Sequence, residues 1–308
     1  MPGMRSSSTL ARILQALTLA NLGLALAWFG LSWRQPAWIA LAPFAIFAMC
    51  YSGGLAFEFL LLSRINRSDP VPQAGWFMLL RAWLVATVQG LRVFGWRQPF
   101  RWKACPDLLV SVPGPQGQRG VVFVHGFFCN RGFWTPWLRR VAGSGRAFVA
   151  VNLEPVFGSI DDYVPAIEQA VAALTRSTGL APVLVCHSMG GLAARAWLRA
   201  GPHAGRVHHV VTIGTPHGGT WLGRFSRFSS GGQMALGSVW LRTLADDSAR
   251  QPQPRFTCWY SNCDNIVFPS STATFAGAQN RLVAGAAHVA LAFDPQVMAE
   301  TLALLDPL

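Results

Sequence analysis

Pro182–Val183–Leu184–Val185–Cys186–His187–Ser188–Met189–Gly190–Gly191 is the stretch on which the fold turns. An apolar run rich in β-branched residues stops at a serine, two glycines follow, and Leu192 to Ala200 has the Ala- and Arg-rich composition of a helix. The pattern predicts a buried strand, a very tight turn and a helix, with Ser188 at the apex. In such a turn the serine is strained so that its hydroxyl projects from the sheet. The residues two before and two after it must be small, because strand and helix nearly touch there. Gly190 meets that demand. Cys186 meets it less well, which predicts a looser turn. The bland alternative is an ordinary buried strand running into a Ser-capped helix.

The 308 residues suffice for one large or two small domains. Hydrophobic residues make up 52% and charged residues 12%, too apolar for an average soluble domain, so part of the chain is expected in lipid. The net charge of +12 is compatible with nucleic acid, but its distribution argues against that partner. Residues 1–120 hold 11 basic and 3 acidic groups, whereas 121–308 hold 14 and 10. The excess therefore flanks the apolar N-terminal segments, where it sets topology or meets anionic headgroups. Cysteines at 50, 105, 129, 186, 258 and 263 show no paired metal spacing, and no metal or other cofactor is expected. Cys50 and Cys186 read as buried free thiols. Cys258 and Cys263 lie close enough in sequence to pair, yet the overall usage favours a reducing compartment.

From Leu10 to Trp33 the chain is almost wholly apolar, Arg34–Gln35–Pro36 breaks it, and Ala37 to Leu62 is a second apolar run of membrane-spanning length. Residues 1–67 are thus expected to form a two-helix membrane anchor. Its one acid, Glu58, lies near the end of the second run, within reach of the interface. A signal peptide cleaved after Ala25–Leu26–Ala27 is the rival reading, but it leaves the second run unexplained. Arg5 and Arg12 flank the first span on one side, and only Arg34 lies between the two spans. Arg64, Arg67, Arg81, Arg92, Arg97, Arg101 and Lys103 follow the second, so both ends are expected in the cytoplasm, at a bacterial inner membrane. Within 68–119, Gly75 to Phe100 shows Trp and Leu at helical spacing with Arg81 and Arg92 interleaved. This suits an interfacial helix, or one packed on the domain that follows. Trp96 to Gly120, with Pro99, Pro106 and Pro113–Gly114–Pro115, reads as a linker.

Residues 120–308 change character. Strands are expected at Val121–Val124, Ala147–Leu153, Val183–His187, Val207–Ile213, Phe256–Tyr260 and Arg281–Val283. Helices are expected at Trp134–Ala142, Ile160–Thr175, after Ser188 and from Pro295. Such alternation predicts an α/β fold with a parallel sheet covered by helices on both faces. The insertion 220–254 mixes Trp221, Leu222, Phe225, Phe228 and Met234 with Gly and Ser. It is either a lid and acyl-binding wall or a surface excursion.

In a parallel sheet the reactive groups gather at the carboxyl ends of the strands. There the first strand ends in His125–Gly126–Phe127, the fifth in Asn262–Cys263–Asp264–Asn265 and the sixth in Gly285–Ala286–Ala287–His288. Ser188, Asp264 and His288 thus follow one another as nucleophile, acid and base. The backbone N–H groups of Phe127 and Met189 are the candidate oxyanion donors. Asp246 and Asp247 are rival acids, but they lie in the insertion. His217 is the serious rival base, and chain order prefers His288. His125 is expected to brace the oxyanion loop, and His187 to point away from the serine.

From Val122 to Leu305 the chain resembles bacterial lipases and esterases of the α/β-hydrolase superfamily, especially the compact lipase A type of Bacillus. The resemblance rests on Val124–His125–Gly126, His187–Ser188–Met189–Gly190–Gly191, Tyr260–Ser261–Asn262–Cys263–Asp264–Asn265–Ile266–Val267 and Ala287–His288, in that order. It implies a minimal α/β-hydrolase sheet and cofactor-free serine catalysis on a hydrophobic ester or lipid substrate. A thioesterase or acyltransferase on the same triad, and a catalytically silent membrane scaffold, are the alternatives. The apolar hairpin departs from relatives that are commonly secreted.

Overall fold

The computed structural model describes residues 8–109 and 118–305; Arg5 and Pro113–Gly114–Pro115 lie outside the described residues. Two long helices, α1 (Thr9–Ser32) and α2 (Ala37–Ile65), are joined by a four-residue turn. The Ser8 hydroxyl caps α1 by accepting from the Ala11 amide at 3.1 Å. Helix α3 (Trp76–Gly90) continues through a π-helical turn, Leu91–Arg97, into α4 (Gln98–Phe100). The expected linker therefore starts after Phe100, not at Trp96. Tertiary bonds hold the last turn in spite of Pro99: the Asn130 amide donates to Gln98 Oε1 at 2.6 Å, and Asn130 Nδ2 to the Gln98 carbonyl at 3.0 Å.

Thr9–Ser32, Ala37–Ser68 and Trp76–Phe100 are each long and apolar enough to cross a membrane. Leu24, Leu31, Trp38 and Met49 stand exposed on the first two, an apolar surface foreign to a water-facing helix. Cys50 is exposed too, not buried as expected. Helix α2 is apolar all round, so its sequence does not mark the face that packs.

The hairpin meets the remainder of the chain through its two chain ends and at the middle of α2, where the Tyr51 hydroxyl donates to the Thr87 carbonyl at 3.0 Å and Trp83 Nε1 to the Ser52 carbonyl at 2.9 Å. Asn130 Nδ2 donates to Ser8 Oγ at 3.3 Å, and the Thr9 amide to Glu154 at 2.8 Å. At the other end Phe59 and Leu62 pack with Phe268 and Ala287, and Asn66 Nδ2 donates to Ser270 Oγ at 2.8 Å. The segment 76–100 instead touches the following domain at its start (Ala82 and Ala86 with Phe268), its middle (Phe94 on Phe128, 6.5 Å) and its end (Gln98 with Asn130). It lies along the domain.

That domain holds one parallel sheet of β1 (Val121–Val124), β2 (Phe148–Ala150), β3 (Val183–His187), β4 (His209–Ile213), β5 (Arg255–Tyr260) and β6 (Gln279–Leu282), in the order β2-β1-β3-β4-β5-β6. Period-two alternation sorts the side chains between two cores. Val122, Val124, Leu184, Cys186 and Val210 face α6 (Val164–Thr178), α7 (Met189–Arg199) and, after the short α8 (Ser229–Gln233), Leu241 and Leu244 of α9 (Val239–Arg250). Val121, Phe123, Val183, Val185 and Val211 face α5 (Thr135–Gly143) and α11 (Pro295–Ala303). The predicted strands and helices all form, with ends displaced by a few residues. The free edge of β2 is covered: Leu108 pairs antiparallel with Phe148, pinned by the Arg131–Asp107 ion pair at 2.8 Å.

Candidate active site

Ser188 takes φ 53° and ψ −129°, a conformation a side-chain-bearing residue keeps only when its surroundings impose it. Its amide donates to the Ile213 carbonyl at 2.9 Å, and its carbonyl accepts from Thr215 Oγ1 at 2.8 Å and the Gly191 amide at 3.1 Å. A Cβ at position 190 would stand 2.4 Å from the Val124 carbonyl oxygen and 2.6 Å from that of His125, so only glycine lets helix and strand close around the turn. Cys186 does not loosen it. Its side chain is fully buried in the same core as Leu184, Leu192 and Ala193, and burial pushes its thiol pKa up.

Asp264 and His288 come from the loops after β5 and β6, His288 opening the short α10 (His288–Leu291). Asp264 Oδ2 accepts from His288 Nδ1 at 2.9 Å, while Oδ1 accepts from the amides of Ile266 and Val267 at 3.0 and 2.8 Å. The two loops are laced together: Asn262 accepts from the Gly285 amide at 3.0 Å and Ser261 from the Ala286 amide at 3.1 Å. Asp264 is 1% exposed, Ser188 7% and His288 6%, so a small opening reaches the serine and the imidazole but not the carboxylate. Ser188 and His288 line one cavity of about 320 Å³ without a hydrogen bond between hydroxyl and imidazole, a contact that commonly tightens only when substrate binds.

The rivals His217 and Asp246 fall away from this cavity, whereas His187 lines it. His217 Nε2 lies 3.1 Å from Thr212 Oγ1, and its ring stacks on Phe275. Asp246 is exposed on α9. His187, whose backbone leads into Ser188, stacks its ring on Phe133 at 4.4 Å.

On the oxyanion side, His125 Nε2 accepts from the Leu153 amide at 3.1 Å, which leaves Nδ1–H to donate to the Gly126 carbonyl at 2.9 Å. This ties the loop to the strand beside it. A Cβ on Gly126 would fall 2.8 Å from Ser188 Cβ, so the loop presses against the serine. The Met189 amide is the first of α7 and has no partner within that helix. Phe128 follows Phe127 at φ 53°, an outlier that nothing in its sequence announces.

Burial also makes these imidazoles acid-sensitive. It pushes His125 from 6.5 down to about 4, His209 likewise to about 4, and holds His187 and His217 well below 6.5. The unfolded chain binds more protons than the folded one between those values, so stability is full above about pH 6.5 and falls as pH drops towards 4. Thermal unfolding of the detergent-solubilised protein should show Tm declining across that window. A Tm flat from pH 7 to 4 would contradict it.

Residues 121–304 match the model of the alpha/beta hydrolase family. The chain belongs to that family. In structure it is similar to Bacillus licheniformis lipase BlEst2 in mature form, with a TM-score of 0.57 at 17% identity over 64% of this chain and 96% of that one. It is also similar to Aspergillus fumigatus lipase B, with a TM-score of 0.56 at 18% identity over 67% of this chain and 57% of that one. At such identities the likeness is one of fold. No curated protein matches the sequence.

The hydrolase match starts at β1, and the three apolar helices precede it. The second and third of them nevertheless wall the cavity: Tyr51, Leu55 and Glu58 come from α2, Ala86 and Gly90 from α3, and Phe94 from the π-helical turn. Glu58 does not turn towards a lipid interface as expected. Its Oε2 accepts from Asn265 Nδ2 at 2.6 Å, and Asn265 Oδ1 in turn accepts from the His288 amide at 3.3 Å. The clue in the sequence was a lone acid within a long apolar helix, a pattern that marks functional sites. Glu58→Ala should lower kcat by roughly tenfold, the scale of one charge-assisted hydrogen bond. Glu58→Gln, which keeps an acceptor, should restore most of it; equal losses in steady-state assays would exclude this positioning role.

The insertion contributes as well. Thr220 and Met234 line the cavity, and Phe228 stacks on Phe157 at 4.2 Å, while Leu241 and Leu244 anchor α9 in the core.

Proposed function

We propose that this hydrolase is a membrane-anchored serine esterase or lipase that cleaves a hydrophobic acyl ester through an acyl-enzyme. The observation that carries the reading is Ser188, strained at φ 53°, sharing a cavity with a His288–Asp264 pair 2.9 Å apart. A serine hydroxyl is inert at its own pKa and needs an adjacent base. His288 Nε2 takes the proton as Ser188 Oγ bonds to the ester carbonyl carbon. Asp264 Oδ2 holds Nδ1–H in place and stabilises the imidazolium. The Phe127 and Met189 amides receive the oxyanion. On collapse the carbon–alkoxide bond breaks, His288 passes the proton to the leaving alkoxide, and the acyl group stays on Ser188. Water, deprotonated by His288, then releases the carboxylic acid and frees Ser188.

In this reading residues 1–67 anchor the protein, 68–119 supply an interfacial helix and a linker, and 120–308 catalyse, with 220–254 as a wall of the acyl site. The arginine distribution favours a cytoplasmic catalytic domain. The intact, detergent-solubilised protein is tested with a fluorophosphonate probe. Labelling at Ser188 is expected, and an unlabelled Ser188 reduces the chain to a silent scaffold. Reporter fusions at residue 35 and at the C-terminus test topology, and a periplasmic C-terminus overturns the orientation.

A further inference from the structure

A second and larger cavity, about 780 Å³, lies between α1, α2 and the π-helical turn. Tyr51, Gly90 and Phe94 line both it and the cavity at Ser188, so the two adjoin across these three residues. Along α1 its lining runs from Leu14 to Trp28, about 21 Å at 1.5 Å per residue. Half the hydrocarbon thickness of a bilayer, the depth one lipid's acyl chains occupy, is about 15 Å. The groove is therefore long enough for such a chain.

Its chemistry favours hydrocarbon, although Thr18 brings a hydroxyl to the lining. Among the described residues no charged one lines it. The donors that Asn21, Trp28 and Tyr51 bring are already directed at backbone carbonyls, of Leu17 at 2.8 Å, Ile39 at 2.9 Å and Thr87 at 3.0 Å. A headgroup, sugar or peptide would leave its own polar groups unpaired there, whereas hydrocarbon would not. Leu17, Leu22, Leu24 and Phe47, on the same two helices, stand exposed, so the groove opens sideways onto the surface that lipid would cover.

We infer that this groove is the acyl-chain site of the enzyme, and that the substrate is a long-chain acyl ester entering from the bilayer between α1 and α2. The inference rests on the ester-hydrolase reading of Ser188. The carbonyl sits at the serine, and the chain passes Tyr51, Gly90 and Phe94 into the groove. The anchor is then part of the substrate site, in a region the family match does not cover.

Thr18 and Ala25 line the groove but not the Ser188 cavity, which makes them the positions to fill. The full-length protein carrying Thr18→Trp and Ala25→Trp is assayed in vesicles against p-nitrophenyl butyrate, decanoate and palmitate. Expected is about a tenfold or larger loss of kcat/KM for palmitate, with butyrate unchanged and serving as the control for folding. Butyrate and palmitate falling together, or neither changing, overturns the groove while leaving the hydrolase reading intact. Leu19→Trp, on the same helix but exposed and lining neither cavity, should keep the wild-type chain-length profile. A wild-type Ser188 that takes no fluorophosphonate sinks the underlying reading itself, and the groove with it.

Discussion

Ser188→Ala should cut kcat for an activated ester by about 10⁴- to 10⁶-fold, because residues of a catalytic triad act as a unit and the residue of activity comes from the oxyanion amides and binding. Steady-state kinetics on the solubilised protein, with fluorophosphonate labelling beside it, measure this. A variant within tenfold of the parent would remove Ser188 from the mechanism. Ser188→Gly offers a second readout. At φ 53° glycine relieves strain that serine must bear, so this variant should be inactive yet more stable by about 1 kcal/mol. Loss of activity with a gain in Tm is what a strained catalytic position predicts and an ordinary helix cap does not.

Asp264→Asn should lower kcat by about 10⁴-fold at neutral pH while leaving the fold intact. The amide can keep an oxygen towards the Ile266 and Val267 amides, now accepted by Oδ1 at 3.0 and 2.8 Å. Its NH₂ then faces His288 Nδ1, which must become an acceptor, and Nε2 carries the proton that Ser188 needs removed. Asp264→Ala should lose activity and stability together, because the buried Val267 amide and the half-buried Ile266 amide lose their acceptor, at about 1–3 kcal/mol for the buried one. Comparing Tm and kcat for the two variants separates the roles of the two oxygens. A fully active Asp264→Asn would transfer the acid's role elsewhere.

The sheet was readable because its strands are short β-branched runs, each followed by turn residues and a helical stretch. In this fold the order of those segments determines which loops share an edge. Asp264 and His288 could be chosen over Asp246 and His217 on that ground alone, and the folded chain brings the two to 2.9 Å. Other features were hidden for physical reasons. Periodicity says nothing about the face an all-apolar helix presents, so the exposure of Cys50 was missed. Proline content suggested a linker from Trp96, but bonds between Gln98 and Asn130 outweigh a local preference for breaking the helix.

From the chain alone came the α/β class, the strand order of chemistry-bearing loops, the serine at its glycine-flanked turn and the apolar hairpin. All of these follow from local composition and spacing. Glu58 beside Asn265, Phe128 in a left-handed conformation, and apolar helices walling the cavity at Ser188 came only with the folded molecule. Each depends on contacts between residues far apart in sequence, Glu58 and Asn265 being 207 positions apart, and no local pattern records such a meeting.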